Sequence, residues 1–307
     1  VKFLLSIVFV LNSSIVVAQI TYQTVFVDYD SAWQYKNLKI VPIRAKKGFN
    51  NKQLHGIVSL SQAIQRGLAT VSERGTASTE NVHFLRIDNH SDKSIFISSG
   101  EVISGGRQDR MIARDTILAP SGKDQYVPVM CVEEGRWSDK EKKFIYSNFA
   151  NPHLRKVLDQ NKNQVLIWKE INNQLGLGNI KSKTFAYLSR NFDKKMSVMN
   201  DEYYNFFHEK LRATDSSLVG FVCISGDKVI GSDIFGSTDL FYNQLEPLLK
   251  GYTDDAVLFG APVSFPDKSL KEYMDKLLKD EKSQEEFVKS NGKIFRQDGK
   301  VVHVNTF

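Results

Sequence analysis

Residues 99–137, SGEVISGGRQDRMIARDTILAPSGKDQYVPVMCVEEGRW, constrain the fold of this 307-residue chain more than any other stretch. Apolar strand residues are interleaved there with the carboxylate of Glu101, a Gly105-Gly106 turn and four arginines, Arg107, Arg110, Arg114 and Arg136. Any sheet built from these strands must also place that charge, because an isolated ion in an apolar interior is prohibitive. In QYVPVMCVE, regular alternation puts Val127, Val129, Cys131 and Glu133 on one face, with Met130 and Val132 on the other. Glu133 then carries a core-facing row to its rim, where it needs water, a partner or a proton. Arg136 is the nearest cation in sequence.

Two chemistries suit such a segment. In the first, Glu101, Asp109 and Glu133 pair with Arg107, Arg110 and Arg136 in a network that fixes the strand ends. Removing one partner of a buried pair costs roughly 3–5 kcal/mol, so the network matters without any ligand. In the second, Arg110 and Arg136 are left to grip an anionic small molecule. Trp137 supplies a stacking plate, and the Gly-Gly turn lets backbone N–H groups approach the anion. A hydrolytic version gives Glu101 and Glu133 the acid and base roles, which glycosidic chemistry performs with carboxylates about 5–9 Å apart. A third class is an envelope interaction protein, in which the network is scaffold and the charged helix over 269–290 meets a partner.

The rest of the chain frames that stretch. Residues 1–18, VKFLLSIVFVLNSSIVVA, read as an export signal with Val16 and Ala18 at the cleavage positions, which leaves 19–307 as one α+β domain outside the cytoplasm. No later segment is apolar enough to span a bilayer. A net charge of +6, interspersed along the chain, gives no nucleic-acid arm. The two cysteines, Cys131 and Cys223, sit in apolar strand-like runs and suit core thiols, with a disulfide or a nucleophile as the alternatives. The six histidines lack metal-ligand spacing, and no cofactor or metal motif is present.

Local signals give the order of elements. NLKIVPIRA is a strand that Pro42 places at an edge or bulge, and residues 59–68 form a short helix capped by Ser59 or Ser61. VHFLRID and SIFIS join through NHSDK in an antiparallel meander. Asn151-Pro152 opens a long helix with a broken stripe to Leu175, and the tract 185–211 continues helical. LVGFVCIS and KVIGSDIF form a hairpin, followed by a helix that Pro247 kinks or restarts. AVLFG is a short buried strand, and the chain closes on a hairpin around Asp298-Gly299. The whole is α+β, with an antiparallel β-rich first half, a helical insertion and a second group of strands and helices.

The runs SLSQAIQRGLATVSE, LRIDNHSDKSIFISSGEVISGGRQDR, TILAPSGKDQYVPVMCVEEGRW and VIGSDIFGSTDLF resemble an uncharacterised bacterial domain. Its name records association with ADP-ribosylglycohydrolases and rhodanese-phosphatase proteins. The likeness covers about residues 55–260. Its marks are GE…GGxQxR, at Gly100-Glu101 and Gly105 to Arg110, and VxCVExGRW, at Val129 to Trp137. The resemblance implies Glu101, Gln108, Arg110, Cys131, Glu133, Arg136 and Trp137 as candidate site residues. Its association with ADP-ribose enzymes agrees with an arginine-rich anion pocket. The leading expectation is an anionic ligand such as a phosphate-bearing nucleotide sugar, held by Arg110 and Arg136 with Trp137 stacking. The chain departs from the pattern at Asp109, where Asn is expected, and at Met130, where a small residue is expected.

Overall fold

The computed structural model describes residues 19–49, 54–74, 81–138, 143–212 and 215–307. The export expectation falls on residues 1–18 and lies outside the described residues. The chain begins with β1 (Val25–Val27), β2 (Trp33–Tyr35) and β3 (Leu38–Ala45). Then β4 (Val58–Ser59) runs into α1 (Leu60–Gln65), where Ser59 and Gln62 form a reciprocal capping box. Next come β5 (Ala69–Glu73), β6 (Phe84–Asn89), β7 (Ile95–Ile97) and β8 (Glu101–Ser104). They are followed by β9 (Arg110–Ile112), β10 (Thr116–Leu118), β11 (Gln125–Cys131) and β12 (Ile145–Phe149).

These strands form two sheets, in the orders β12-β8-β9-β11-β6-β5 and β10-β7-β4. The expected hairpin between VHFLRID and SIFIS is therefore absent: β6 pairs with β5 and β11, whereas β7 pairs with β10 and β4. The Asn89 side chain explains the departure. Its Nδ2 donates to the carbonyls of Lys93 and Ala119 at 2.7 and 2.9 Å, so the NHSDK turn steers the chain from one sheet to the other. Leu85, Ile87, Ile112, Val127 and Val129 face Ile95, Ile97 and Leu118 across a shared core that also takes Leu60 and Ala63 of α1. On the other face, Val102, Met111 and Val132 pack under the helical insertion. The alternation expected in β11 is thus realised.

The insertion holds α2 (Pro152–Asn161), α3 (Gln164–Leu177), a 3-10 segment over Tyr187–Phe192 and α4 (Lys194–Lys210). Asn151 caps α2 as its sequence predicts. The long helix divides at Lys162, which takes a left-handed φ of 45° and ends α2, while the Asn163 side chain caps α3. The tract from Phe185 is helical only from Tyr187, and first as 3-10. Of its crowded aromatics, Tyr203 and Phe207 are buried, and Phe206 stacks on Tyr35 with ring centroids 5.0 Å apart.

The last part contains β13 (Leu218–Ser225), β14 (Lys228–Phe235), α5 (Thr238–Phe259), α6 (Asp267–Leu278), α7 (Glu281–Asn291), β15 (Gly292–Gln297) and β16 (Lys300–Thr306). Its strands join the first three in a sheet ordered β1-β3-β13-β14-β16-β15, with β2 also on β3. Pro42 does not put β3 at the edge. It lies in the gap where β1, paired to residues 43–45, has ended and β2, paired to 38–40, has not begun, so its missing N–H interrupts no ladder. One face of this sheet packs on α4 and α5, through Phe221, Phe235 and Tyr252. The other packs on α6 and α7, through Val222, Ile234, Met274 and Leu277. Burial on both faces is why LVGFVCIS is apolar without alternation.

Two further expectations are corrected here. AVLFG is not a strand but the end of α5, which continues through Pro247 to a stop at Gly260. Asp254 and Asp255, just before it, spend their side chains on Asn151, Arg190 and His153 and so anchor that last stretch as helix. The charged tract over 269–290 is two helices rather than one, because Asp280 breaks the run and its carboxylate caps the Ser283 N–H at 2.8 Å.

Candidate functional site

The two sequence motifs meet where β8 turns into β9. Gly105 and Gly106 have φ of 126° and 49°. A Cβ on the first would strike the Lys143 carbonyl, and one on the second the Phe144 ring and the Glu73 carboxylate. Over this turn Arg136 spreads its guanidinium. Its Nε donates to Glu133 Oε2 at 2.6 Å, Nη1 to the Gly106 carbonyl at 3.1 Å, and Nη2 to Gly105 O and Asp109 Oδ1 at 3.1 and 2.8 Å. Glu133 Oε1 accepts from Thr184 Oγ1 at 2.7 Å, and Asp109 Oδ1 from Gly105 N at 3.0 Å. Burial and the neighbouring Glu133 raise the Asp109 carboxyl above its ordinary range, against Arg136.

Gln108 links this cluster to Arg110. Its Nε2 donates to the Glu133 carbonyl at 2.9 Å and its Oε1 accepts from Arg110 Nη1 at 3.2 Å. Arg110, fully buried, pairs with Glu73 Oε2 at 3.3 Å, and the same carboxylate accepts the Arg107 N–H at 2.7 Å. Arg136 meets Glu133 as its place in the sequence suggests, and it also takes Asp109. It does not reveal Glu73 or Thr184, because their contact with the motifs spans dozens of residues and follows only from strand order. Arg114 is exposed, and Trp137 is 46 % exposed beside the cluster. Cys131 and Cys223 are both buried. The Gln164 side chain brackets the Cys131 backbone, accepting its N–H at 2.8 Å and donating to its carbonyl at 2.7 Å.

Glu101 belongs elsewhere. Ile103 lies opposite Arg110 and Arg110 opposite Cys131, so Glu101 and Glu133 are separated by about 13 Å of strand rise and two strand spacings, about 10 Å. The structure does not bring the two carboxylates together. Glu101 Oε2 accepts the Ser98 N–H at 2.7 Å, and the Tyr146 hydroxyl and the Gln244 amide lie against the same buried carboxyl. Burial pushes the Glu101 carboxyl up to about 8 from 4.5, against the pull of the Ser98 N–H. The folded state therefore holds a proton that the unfolded chain releases, and stability falls as pH rises from about 4.5 towards 8. Glu101→Gln removes this slope: in urea denaturation the variant gains on the parent protein between pH 5 and pH 8. Equal pH dependence of the two would show Glu101 charged throughout.

Gly100, just before it, has φ of 98°, and a Cβ there would press on Arg155 and Phe149. Arg155 anchors a second buried network that no motif announces. Its Nη1 and Nη2 reach the two Asp233 oxygens at 2.9 and 2.6 Å, and its guanidinium lies over the Phe149 ring. Asp233 also accepts from the Tyr252 hydroxyl at 2.6 Å and contacts His303 Nε2 at 2.9 Å. His303 Nδ1 continues to Asp115 at 2.7 Å. Burial alone would raise the Asp233 carboxyl, but Arg155 and His303 hold it far below its usual range. Burial alone would lower His303, but Asp115 and Asp233 hold it above its ordinary value. The sequence signal was Asp233 and His303 inside the strand runs GSDIF and VVHVN, whereas Arg155 is one of three charged or polar residues in HLRKVL.

Two adjoining clefts open over β12 and α5. One, of about 360 Å³, is lined by Gln62, Arg66, Tyr146, Tyr242 and Asn243. The other, of about 190 Å³, is lined by Asn148, Arg190, Asn200, Tyr204 and Asp254. Both include Ser147 and Lys250. Lys250 contacts Glu246 at 3.0 Å and lies over the Tyr204 ring. Asn148 Oδ1 and Asn200 Oδ1 are buried along this groove without a hydrogen-bond partner among the described residues, whereas the Tyr146 hydroxyl is turned to Glu101. Unpaired buried polar atoms cost about 1–3 kcal/mol each, so their alignment in one groove calls for an explanation.

No curated protein and no solved structure matches the chain. A family profile, however, matches residues 26–307, a wider span than the motifs alone suggest and one that takes in the strands at both ends of the seven-stranded sheet. The turn around Gly105-Gly106, the Glu133–Arg136 clasp and the sheet that carries β1 and β16 all fall within that span, and the chain belongs to the ARG and Rhodanese-Phosphatase-superfamily-associated Protein domain family.

Proposed function

We propose that this protein binds a polar, anionic small molecule in the groove over β12, and that its charged motifs are the scaffold of the fold. The observation that carries this reading is the pair of unpartnered buried atoms on Asn148 and Asn200 beside Lys250. Amide and hydroxyl groups suit a polyhydroxyl ligand, the faces of Tyr204 and Tyr242 suit sugar or base rings, and Lys250 with Arg66 suits a phosphate. The family name, which associates the domain with ARG and rhodanese-phosphatase-superfamily proteins, agrees with a phosphosugar or nucleotide-like ligand. Arg110 and Arg136 are poorer anion grips, because Glu73, Gln108, Glu133 and Asp109 already take up their donors.

A thermal-shift screen against phosphosugars, nucleotides and ADP-ribose tests the proposal. A ligand at a hundred times its Kd adds about 2.7 kcal/mol, a shift of several degrees. The expected shift disappears in Lys250→Ala and Asn200→Leu and persists in Trp137→Ala. A shift that survives both groove changes and vanishes in Trp137→Ala would move the site to the motif loop. No shift with any of these ligands would leave the envelope-scaffold reading ahead.

A further inference from the structure

We infer that the exposed apolar and basic side chains of residues 181–198 form a docking surface for an anionic membrane, beside the groove that Arg190, Asn191, Met196 and Ser197 of the same segment line. Phe192 is 87 % exposed, Val198 53 % and Phe185 49 %, a concentration of apolar surface that the fold leaves uncovered. Lys181, Lys183, Lys194 and Lys195 are exposed among them and form no ion pair among the described residues. The one carboxylate within the segment, Asp193, is committed to capping the Met196 N–H at 2.9 Å.

Two features show that this surface is presented rather than merely left over. Lys194 and Lys195 are the first two residues of α4, where the positive end of the helix dipole disfavours cations. They lie four and three residues before Val198, so all three share one helix face, with Phe192 immediately ahead of it. Phe185 has a left-handed φ of 50°, which an aromatic residue rarely adopts. Its flanks are pinned: the Thr184 carbonyl accepts from Gly135 N at 2.8 Å, and Tyr187 N donates to Val132 O at 2.8 Å. The ring is thereby held outward.

Exposed aromatic and aliphatic side chains flanked in sequence by exposed lysines match the boundary of a bilayer, where rings enter the acyl edge and ammonium groups meet phosphate. Single-stranded nucleic acid also takes aromatics and lysines, but it needs a groove that tracks its backbone. Phe192 stands out from the surface instead.

Sedimentation of the full chain with vesicles tests this. The expected result is binding to vesicles of phosphatidylcholine with phosphatidylglycerol, weak binding to phosphatidylcholine alone, and loss in high salt. Lys194→Glu with Lys195→Glu should weaken binding by at least roughly 30-fold, and Phe192→Ser should also weaken it. Lys282→Glu with Lys289→Glu on α7 makes the same change in net charge and should leave binding intact. Every variant keeps residues 1–18, so any contribution of that stretch cancels. Equal binding to both vesicle types, or no effect of the Lys194/Lys195 change, would overturn the inference. So would tighter binding to a single-stranded oligonucleotide, or a dimer that dissociates on Phe192→Ser.

Discussion

Arg155→Ala is expected to destabilise the protein by about 3–5 kcal/mol, read as a lower midpoint in urea denaturation with an unchanged slope. The side chain is 2 % exposed and its partner Asp233 is fully buried. Truncation would leave that carboxylate inside the fold with the Tyr252 hydroxyl and His303 as its remaining partners. It would also remove the guanidinium from between the Phe149 and Phe307 rings and open space behind Gly100. Arg155→Lys should recover only part of the loss, since one ammonium cannot reproduce two parallel hydrogen bonds to the same carboxylate. A cost below about 1 kcal/mol, the value of an exposed pair, would show that the network relaxes around the gap.

Arg136→Ala is the second large effect, expected at about 2–3 kcal/mol, less than Arg155 because its side chain is 19 % exposed. Glu133 and Asp109 would face each other without the cation between them, and the Gly105 and Gly106 carbonyls would lose their donor. The two uses of the motif arginines then separate cleanly. A scaffold residue lowers the denaturation midpoint and leaves the thermal shift from a groove ligand intact after correction for stability. A ligand-gripping residue does the reverse. Full stability of Arg136→Ala would return the guanidinium to the role of anion receptor.

Contacts within a few residues were legible in the sequence, and contacts set by strand order were not. The alternation in QYVPVMCVE places Glu133 at the rim of a core-facing row, and Arg136, three residues on, meets it there. The capping roles of Ser59 and Asn151 follow from local composition alone. Arg110 meets Glu73 across β11 and β6, from a strand three places away in the sheet, a contact that periodicity cannot give. The pairing of β7 away from β6 turns on one asparagine amide holding two carbonyls. Lone charges in apolar strands, Asp233 and His303, were the readable trace of the second network, but they carried no indication of their partners. The groove was invisible for a similar reason, since β12, α1, the 3-10 segment, α4 and α5 each contribute only two to five ordinary polar side chains.

The position of β3 has a consequence for biogenesis. Its neighbour β13 begins only at Leu218, and the sheet closes only with β15 and β16 at the far end of the chain. Closure therefore pairs segments of very high contact order, a step that is intrinsically slow. Until it happens, one apolar edge of β3 stays open through the synthesis of everything between Ala45 and Leu218, and such an edge is a template for pairing with other chains. A ribosome stalled anywhere in that interval would release a species far more prone to aggregate than the finished protein. Holdase demand should accordingly peak before the last quarter of the polypeptide emerges.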